Sequence, residues 1–284
     1  MTVRVWVDGR LVNERAAAVS VLDHGITVGD GAFETAKVVD GRAFALSRHA
    51  QRLDRSLAGL GLPGADHGRI AEGVEAVLGA GDPIKFGRLR YTVTAGPGPL
   101  GSDRTASNVG VDPLTYIVTA VDQTLPPASG KVVVAPWTRN ERAATAGLKT
   151  TSYADNVIAL AYAKSRGALE AVFGNTRGEL CECTGSNVFV VVDGTVLTPP
   201  VDSGLLQGIT RDLTLQWCRE DGLVVEERAL PLGILDTADE VFITSSIKDV
   251  LPVHAVDDRI LEPGPLTARA AKIFAARAAE GMDP

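Results

Sequence analysis

Three Asp-Gly pairs, each set between two β-rich runs, constrain this chain more than any other feature. Asp8-Gly9 separates residues 3–7 from 10–12, Asp40-Gly41 separates 35–39 from 42–46, and Asp193-Gly194 separates 188–192 from 195–198. Both residue types tolerate the positive φ angles of a two-residue hairpin turn, so each pair predicts two antiparallel strands joined tightly. Further β-rich runs occupy residues 87–94, 114–121, 131–135 and 240–243. Apolar residues at three- and four-residue spacing predict helices over 48–60, 67–78, 155–165, 210–220 and 266–279, with Ser47 and Asp66 as N-caps of the first two. The expected class is α+β, with mostly antiparallel sheets and packed helices.

Residues 122–130, Asp-Gln-Thr-Leu-Pro-Pro-Ala-Ser-Gly, carry two prolines and no periodicity, and so read as a linker. They divide a smaller N-terminal α+β domain, 1–121, from a larger domain, 131–284. A chain of 284 residues can bury two such cores. The net charge of −7 argues against nucleic-acid or anionic-membrane partners, so any anion site must be local. No apolar run is long enough to span a bilayer and no secretory leader is expected. Three cysteines, Cys181, Cys183 and Cys218, fit a reducing, cytoplasmic setting better than a disulfide framework. Cys181 and Cys183 flank Glu182 at strand spacing and read as small packed residues. Too few ligands accompany them for a metal site, and none is expected.

The chemistry concentrates between residues 147 and 212. Lys149 sits in Gly-Leu-Lys-Thr-Thr-Ser-Tyr, a largely uncharged setting in which a partly desolvated amine is a nucleophile and base near neutral pH. Glu182 lies between apolar strand residues. Gly208-Ile209-Thr210 opens a helix, and the free N–H groups of a helix start attract a phosphate. An amine, a carboxylate and a phosphate cradle are what pyridoxal 5'-phosphate requires. Upstream, Arg88 and Arg90 alternate along a strand, which puts both on one face. Two like charges side by side are costly unless an anion sits between them; the alternative is that one or both point to solvent.

Several motifs together carry a family resemblance. They are Asp23-His24-Gly25-Ile26-Thr27-Val28-Gly29-Asp30-Gly31-Ala32-Phe33-Glu34-Thr35, then His49-Ala50-Gln51-Arg52-Leu53, the Lys149 segment, residues 178–189, Gly204 to Asp212, and Thr244-Ser245-Ser246-Ile247. In order and spacing the chain resembles the class IV (fold-type-IV) pyridoxal-phosphate aminotransferases from about Val5 to Ile273. That group includes D-amino acid transaminases, branched-chain aminotransferases and aminodeoxychorismate lyases. The resemblance implies two domains with the cofactor in the cleft between them, and a homodimer. It implies that Lys149 links to the cofactor aldehyde, Glu182 faces the pyridine nitrogen, Tyr153 bonds the phenolate oxygen and Leu206 packs on the ring. Arg52, Ile209, Thr210 and Ser246 are then expected on the phosphate, and Val28, Phe33, Arg88, Arg90 and Ile247 around the substrate. Taken singly, Arg52 could be a helix-surface arginine, Tyr153 a core tyrosine and Glu182 a solvated strand residue. Thr244 and Ser245 are read as turn or cap residues. The glycine- and proline-rich stretch 96–101 is expected to be a loop that closes a partner's pocket.

The resemblance is less specific within the family. Arg90 aligns with the pocket arginine of branched-chain enzymes. D-amino acid transaminases carry an arginine where Ala95 stands, and branched-chain enzymes an aromatic residue where Val28 stands. The hairpin over 29–39 is closer to the D-amino acid and lyase branches. The expected reaction is amino transfer between an amino acid, D-amino acids included, or a primary amine and a 2-oxo acid. The alternatives are an aminodeoxychorismate lyase releasing pyruvate and 4-aminobenzoate, an L-branched-chain aminotransferase, and an inactive cofactor-binding relative.

Overall fold

At all three Asp-Gly pairs both residues lie at positive φ: Asp8 at 43° and Gly9 at 88°, Asp40 at 47° and Gly41 at 74°, Asp193 at 48° and Gly194 at 74°. The twist of such turns matches that of the strands they join. The computed structural model describes residues 2–104 and 114–284. They form two compact units. The first comprises the described residues up to 125 together with 148–153 and 282–284, and the second 126–147 and 154–281. The break after residue 125 falls inside the expected linker. The excursion of 148–153 into the first unit differs from a division into two contiguous domains, and it carries Lys149 with it.

In the first unit, β1 (Arg4–Val7), β2 (Arg10–Val12), β3 (Gly31–Val39), β4 (Arg42–Ala43), β5 (Phe86–Thr94) and β6 (Thr115–Asp122) form one antiparallel sheet in the order β2-β1-β6-β5-β3-β4. A short α1 (His24–Thr27) precedes β3, and α2 (Leu46–Gly59) and α3 (His67–Gly79) follow β4. The buried residues of α2 are His49, Arg52, Leu53, Ser56 and Leu57, a stripe at helical spacing. Leu53 and Leu57 join Trp6, Ala36, Val38, Leu89 and Val118 in the core. Asp66 caps α3 as expected, accepting from the Gly68 and Arg69 N–H groups at 2.9 and 3.1 Å. Ser47 does not cap α2. Ala45 holds that position in a left-handed conformation, and the Ser47 hydroxyl instead donates to Asp283 at 2.9 Å.

In the second unit, β7 (Gly130–Arg139), α4 (Ala154–Ser165), β8 (Glu170–Asn175), β9 (Leu180–Cys183), β10 (Asn187–Val192), β11 (Thr195–Thr198), α5 (Ile209–Glu220), β12 (Val225–Glu227), β13 (Glu240–Ser245), β14 (Asp249–Val256), β15 (Arg259–Ile260) and α6 (Pro265–Glu280) surround a nine-stranded sheet. Its order is β12-β11-β10-β13-β14-β7-β8-β9, with β15 on β14. Most pairs are antiparallel, but β7 runs parallel to both β8 and β14, and β12 parallel to β11. The inner strands are largely buried, and β8 has no exposed residue, whereas the end of β7 and most of β12 are exposed. No helix among the described residues is long and apolar enough to cross a membrane.

Candidate active site

In the first unit the segment 148–153 lies against the start of β3. The Phe33 N–H donates to the Lys149 carbonyl at 3.0 Å, the Thr151 N–H to the Gly31 carbonyl at 2.8 Å, and Ala32 and Thr150 form a bridge. The Lys149 N–H donates to the Ser56 hydroxyl of α2 at 3.1 Å, so its backbone is held on both sides. The approach is close: a Cβ on Gly59 would meet the Leu148 side chain at 2.6 Å. The half-buried Lys149 therefore leaves the sheet edge from a rigid base.

The Lys149 amine lies 4.4 Å from the Phe33 ring centroid, and the Arg90 guanidinium lies 3.7 Å from the same centroid. The two cations are thus at most about 8 Å apart. Tyr153 packs edge-on against Phe33, with ring centroids 5.4 Å apart. Burial lowers the Arg90 pKa; Tyr153 opposes that shift and the neighbouring Arg88 adds to it. Along β5 the residues Arg88, Arg90 and Thr92 are the more accessible set, and Gly87, Leu89 and Tyr91 are buried. The two arginines share a face, as strand periodicity requires. Arg90 is half-buried with its Nε donating to Thr92 at 3.1 Å, whereas Arg88 is exposed. Val28 is also exposed, at 41%.

Arg52 is not on the helix surface. It is buried, and with Glu34 and His49 it forms a polar cluster inside the apolar layer between α2 and the sheet. Its Nε donates to one Glu34 oxygen at 2.8 Å and its NH2 to the other at 2.7 Å. The His49 Nδ1 lies 2.6 Å from Glu34 Oε2. Burial alone would raise the Glu34 pKa, but Arg52 and His49 outweigh it and hold the carboxyl at about 2. Burial lowers the pKa of His49 against the pull of Glu34, and the positive charges of Arg52 and Lys149 lower it further.

In the second unit Glu182 is anchored at both oxygens. The Leu206 N–H donates to Oε2 at 2.9 Å, and Arg139 Nε lies 3.4 Å from Oε1, an ion-pair distance without hydrogen-bond geometry. Arg139 in turn lies over the Phe173 ring at 4.4 Å and donates to Asn156 at 3.1 Å. Cys181 and Cys183, on the other face of β9, are buried, and burial pushes Cys181 up to about 12.

Leu206 also links this acid to the start of α5. Its carbonyl accepts from Asn187 Nδ2 at 2.8 Å, and a Cβ on Gly208 would come within 2.0 Å of Asn187 Oδ1. Gly208 is the N-cap of α5, with no side chain bonded to the helix end, and the first helical bond runs from Asp212 to the Gly208 carbonyl. The N–H groups of Ile209, Thr210 and Arg211 precede that bond. Thr244 pairs with Asn187 across the β10–β13 ladder, and its buried hydroxyl has no partner. Thr244 is therefore a buried strand residue and not a turn or cap. Ser245 does serve the following turn, accepting from the Lys248 N–H at 3.3 Å. Ser246 and Ile247 follow in that turn, both half-buried. Sequence reasoning overlooked Glu34, His49, Arg139 and Asn187. Glu34 lay inside a quoted motif, and a carboxylate eighteen residues before an expected phosphate arginine was the available signal.

The chain belongs to the class IV aminotransferase family: the family model described as amino-transferase class IV matches residues 31–256. It is accordingly a pyridoxal-phosphate-dependent enzyme of the fold-type-IV group, acting on amino donors and 2-oxo acids. It is similar to a D-alanine aminotransferase of Bacillus licheniformis, with 31% identity over 93% of each chain. Among solved structures it resembles the branched-chain aminotransferase of Thermoproteus uzoniensis with norvaline, at TM-score 0.85 and 27% identity, covering 97% of this chain and 94% of that one. It also resembles the pyridoxal-phosphate-bound form of a hypothetical aminotransferase from Mycobacterium tuberculosis, at TM-score 0.82 and 25% identity, covering 96% and 98%. The residues present fit the cofactor. An uncapped helix start, a buried hydroxyl without a partner and a glycine with no room for a Cβ suit a phosphate, and a doubly anchored carboxylate suits a protonated ring nitrogen.

Proposed function

We propose that the chain is a transaminase that moves an amino group between an α-amino acid, D-amino acids included, and a 2-oxo acid. The observation that carries this reading is the shared position of Lys149 and Arg90 on the Phe33 ring, which joins an amine to a carboxylate-binding cation. Pyridoxal phosphate supplies an aldehyde that condenses with amines and a ring that draws electron density from the substrate Cα. Lys149 is the residue that would hold that aldehyde, and its Nζ, freed when a substrate amine takes its place, would serve as the base for the Cα proton. Glu182 keeps a proton on the ring nitrogen, Tyr153 bonds the phenolate oxygen and Leu206 packs against the ring. Ile209, Thr210, Ser246 and Arg52 hold the phosphate, joined by the buried Thr244 hydroxyl. Arg90 takes the substrate carboxylate, with Arg88 beside it raising the local positive potential. Val28, Phe33 and Ile247 form the walls that select the side chain.

A second reading, an L-branched-chain aminotransferase, is favoured by the absence of an arginine at Ala95 and by the likeness to the norvaline-bound enzyme. Steady-state assays with D-alanine, L-leucine and aminodeoxychorismate, each with and without 2-oxoglutarate, separate the possibilities. Oxo-acid-dependent loss of D-alanine is the expected result; loss of L-leucine alone selects the second reading. Pyruvate release from aminodeoxychorismate without an oxo acid makes the chain a lyase, and no turnover of any donor makes it an inactive relative. The proposed assembly is a homodimer, consistent with the exposed apolar side chains Trp137, Val157, Ile158 and Leu160, and light scattering measures its mass directly.

A further inference from the structure

We propose that Glu34, steadied by His49, is a positioning residue for the cofactor phosphate: it fixes the Arg52 guanidinium so that this side chain meets the phosphate in one orientation. The inference rests on the reading of Arg52 as a phosphate ligand. Glu34 is fully buried and stands on the helix-covered face of β3, with Ala32 and Ala36 on either side of it in the alternation. A carboxylate there is costly unless it is paired and hydrogen-bonded. It receives two parallel bonds from Arg52, which lock both the plane and the rotation of the guanidinium. His49 occupies the oxygen that also takes Arg52 NH2, and so restrains the carboxylate itself.

The geometry divides the labour of the arginine. The Nε and one NH2 hydrogen are committed to Glu34, and a guanidinium has five N–H donors in a rigid fork. Because that fork is planar and rigid, the pair with Glu34 sets the direction of every donor on it. Arg52 sits one turn before Ser56, whose hydroxyl receives the Lys149 N–H, so the helix that carries the arginine is tied to the segment that carries the amine. A pre-set donor loses less conformational freedom when the phosphate arrives, and affinity rises by that saving.

The test compares two ligands of the apoprotein: pyridoxal 5'-phosphate and pyridoxal, which lacks the phosphate. Affinities are read by absorbance titration for the wild type, E34D, H49Q and R52K. E34D keeps the charge but withdraws the carboxylate by one methylene. It is expected to weaken pyridoxal-phosphate binding about tenfold while leaving pyridoxal unchanged. H49Q keeps both charges of the pair, serves where E34D fails to fold, and is expected to act in the same direction by about threefold. R52K tests the underlying reading by itself, because a lysine cannot make the paired contact. If R52K leaves the preference for the phosphorylated ligand intact, Arg52 is not a phosphate ligand and both statements fall. If R52K lowers that preference and neither E34D nor H49Q does, the role of Arg52 stands and the positioning role of Glu34 is overturned. Equal weakening of both ligands by E34D also overturns it, since that is what a merely structural glutamate would do.

Discussion

The residues proposed to serve the cofactor are of two kinds, which differ in how far a sequence reveals them. Lys149, Glu182 and the Gly208-Ile209-Thr210 turn are visible because their neighbours are distinctive. Glu34, His49 and Asn187 act through contacts made across elements, and the Thr244 hydroxyl is buried without a partner; spacing encodes neither. Gly208 shows the two combined. Its φ of −75° suits any residue, so the demand for glycine comes from Asn187 alone. We expect G208A to push the Asn187 amide off the Leu206 carbonyl and disturb the helix start. The cost should be about 1–3 kcal/mol of stability, together with about tenfold weaker cofactor binding. Thermal melting and cofactor titration measure the two. A variant unchanged in both would mean that the turn has room the structure does not show.

The elements follow local rules closely where those rules are strong. The Asp-Gly turns lie where the pairs stand, and α3 begins at the residue after Asp66. Replacing Asp66 with alanine removes a side-chain acceptor from two helix-start N–H groups, and is expected to cost about 1 kcal/mol. A lowered melting midpoint with an unchanged cofactor affinity is the outcome to look for. A loss of binding would mean that α3 bears on the site. The rules fail where a distant partner competes. Ser47 had the right chemistry for a cap, yet its hydroxyl and N–H both bind Asp283 near the C-terminus, a contact that no local pattern foretells. The parallel pairs of β7 were equally hidden, because a run of valines reads the same whether its neighbour runs up or down.

At the scale of the whole molecule, buried ionised groups set how the fold responds to acid. Glu34, at about 2 against an ordinary 4.5, adds stability that is complete above pH 4.5 and is lost as pH falls toward 2. The buried Glu170, held down by Lys248, Ser186 and the Gly185 N–H against the opposing effect of burial, acts in the same direction. Burial lowers the pKa of His49 from its ordinary 6.5, so the fold takes up that proton less readily than the unfolded chain and the contribution of His49 begins to be lost as pH drops below 6.5. Urea midpoints measured from pH 7 down to pH 3 should therefore fall throughout, and H49Q should flatten the upper part of the curve. A plateau from pH 7 to pH 3 would contradict the assignment. By itself the sequence determined the hairpins and most of the helices. Each of these depends on residues within a turn or two of one another. Only the tertiary structure decided that Lys149 leaves the second half of the chain to join the first unit, that Arg52 is buried against Glu34, and that Thr244 lacks a partner. Those outcomes turn on which surfaces meet after the elements have formed, and burial and pairing between distant residues have no period along the chain.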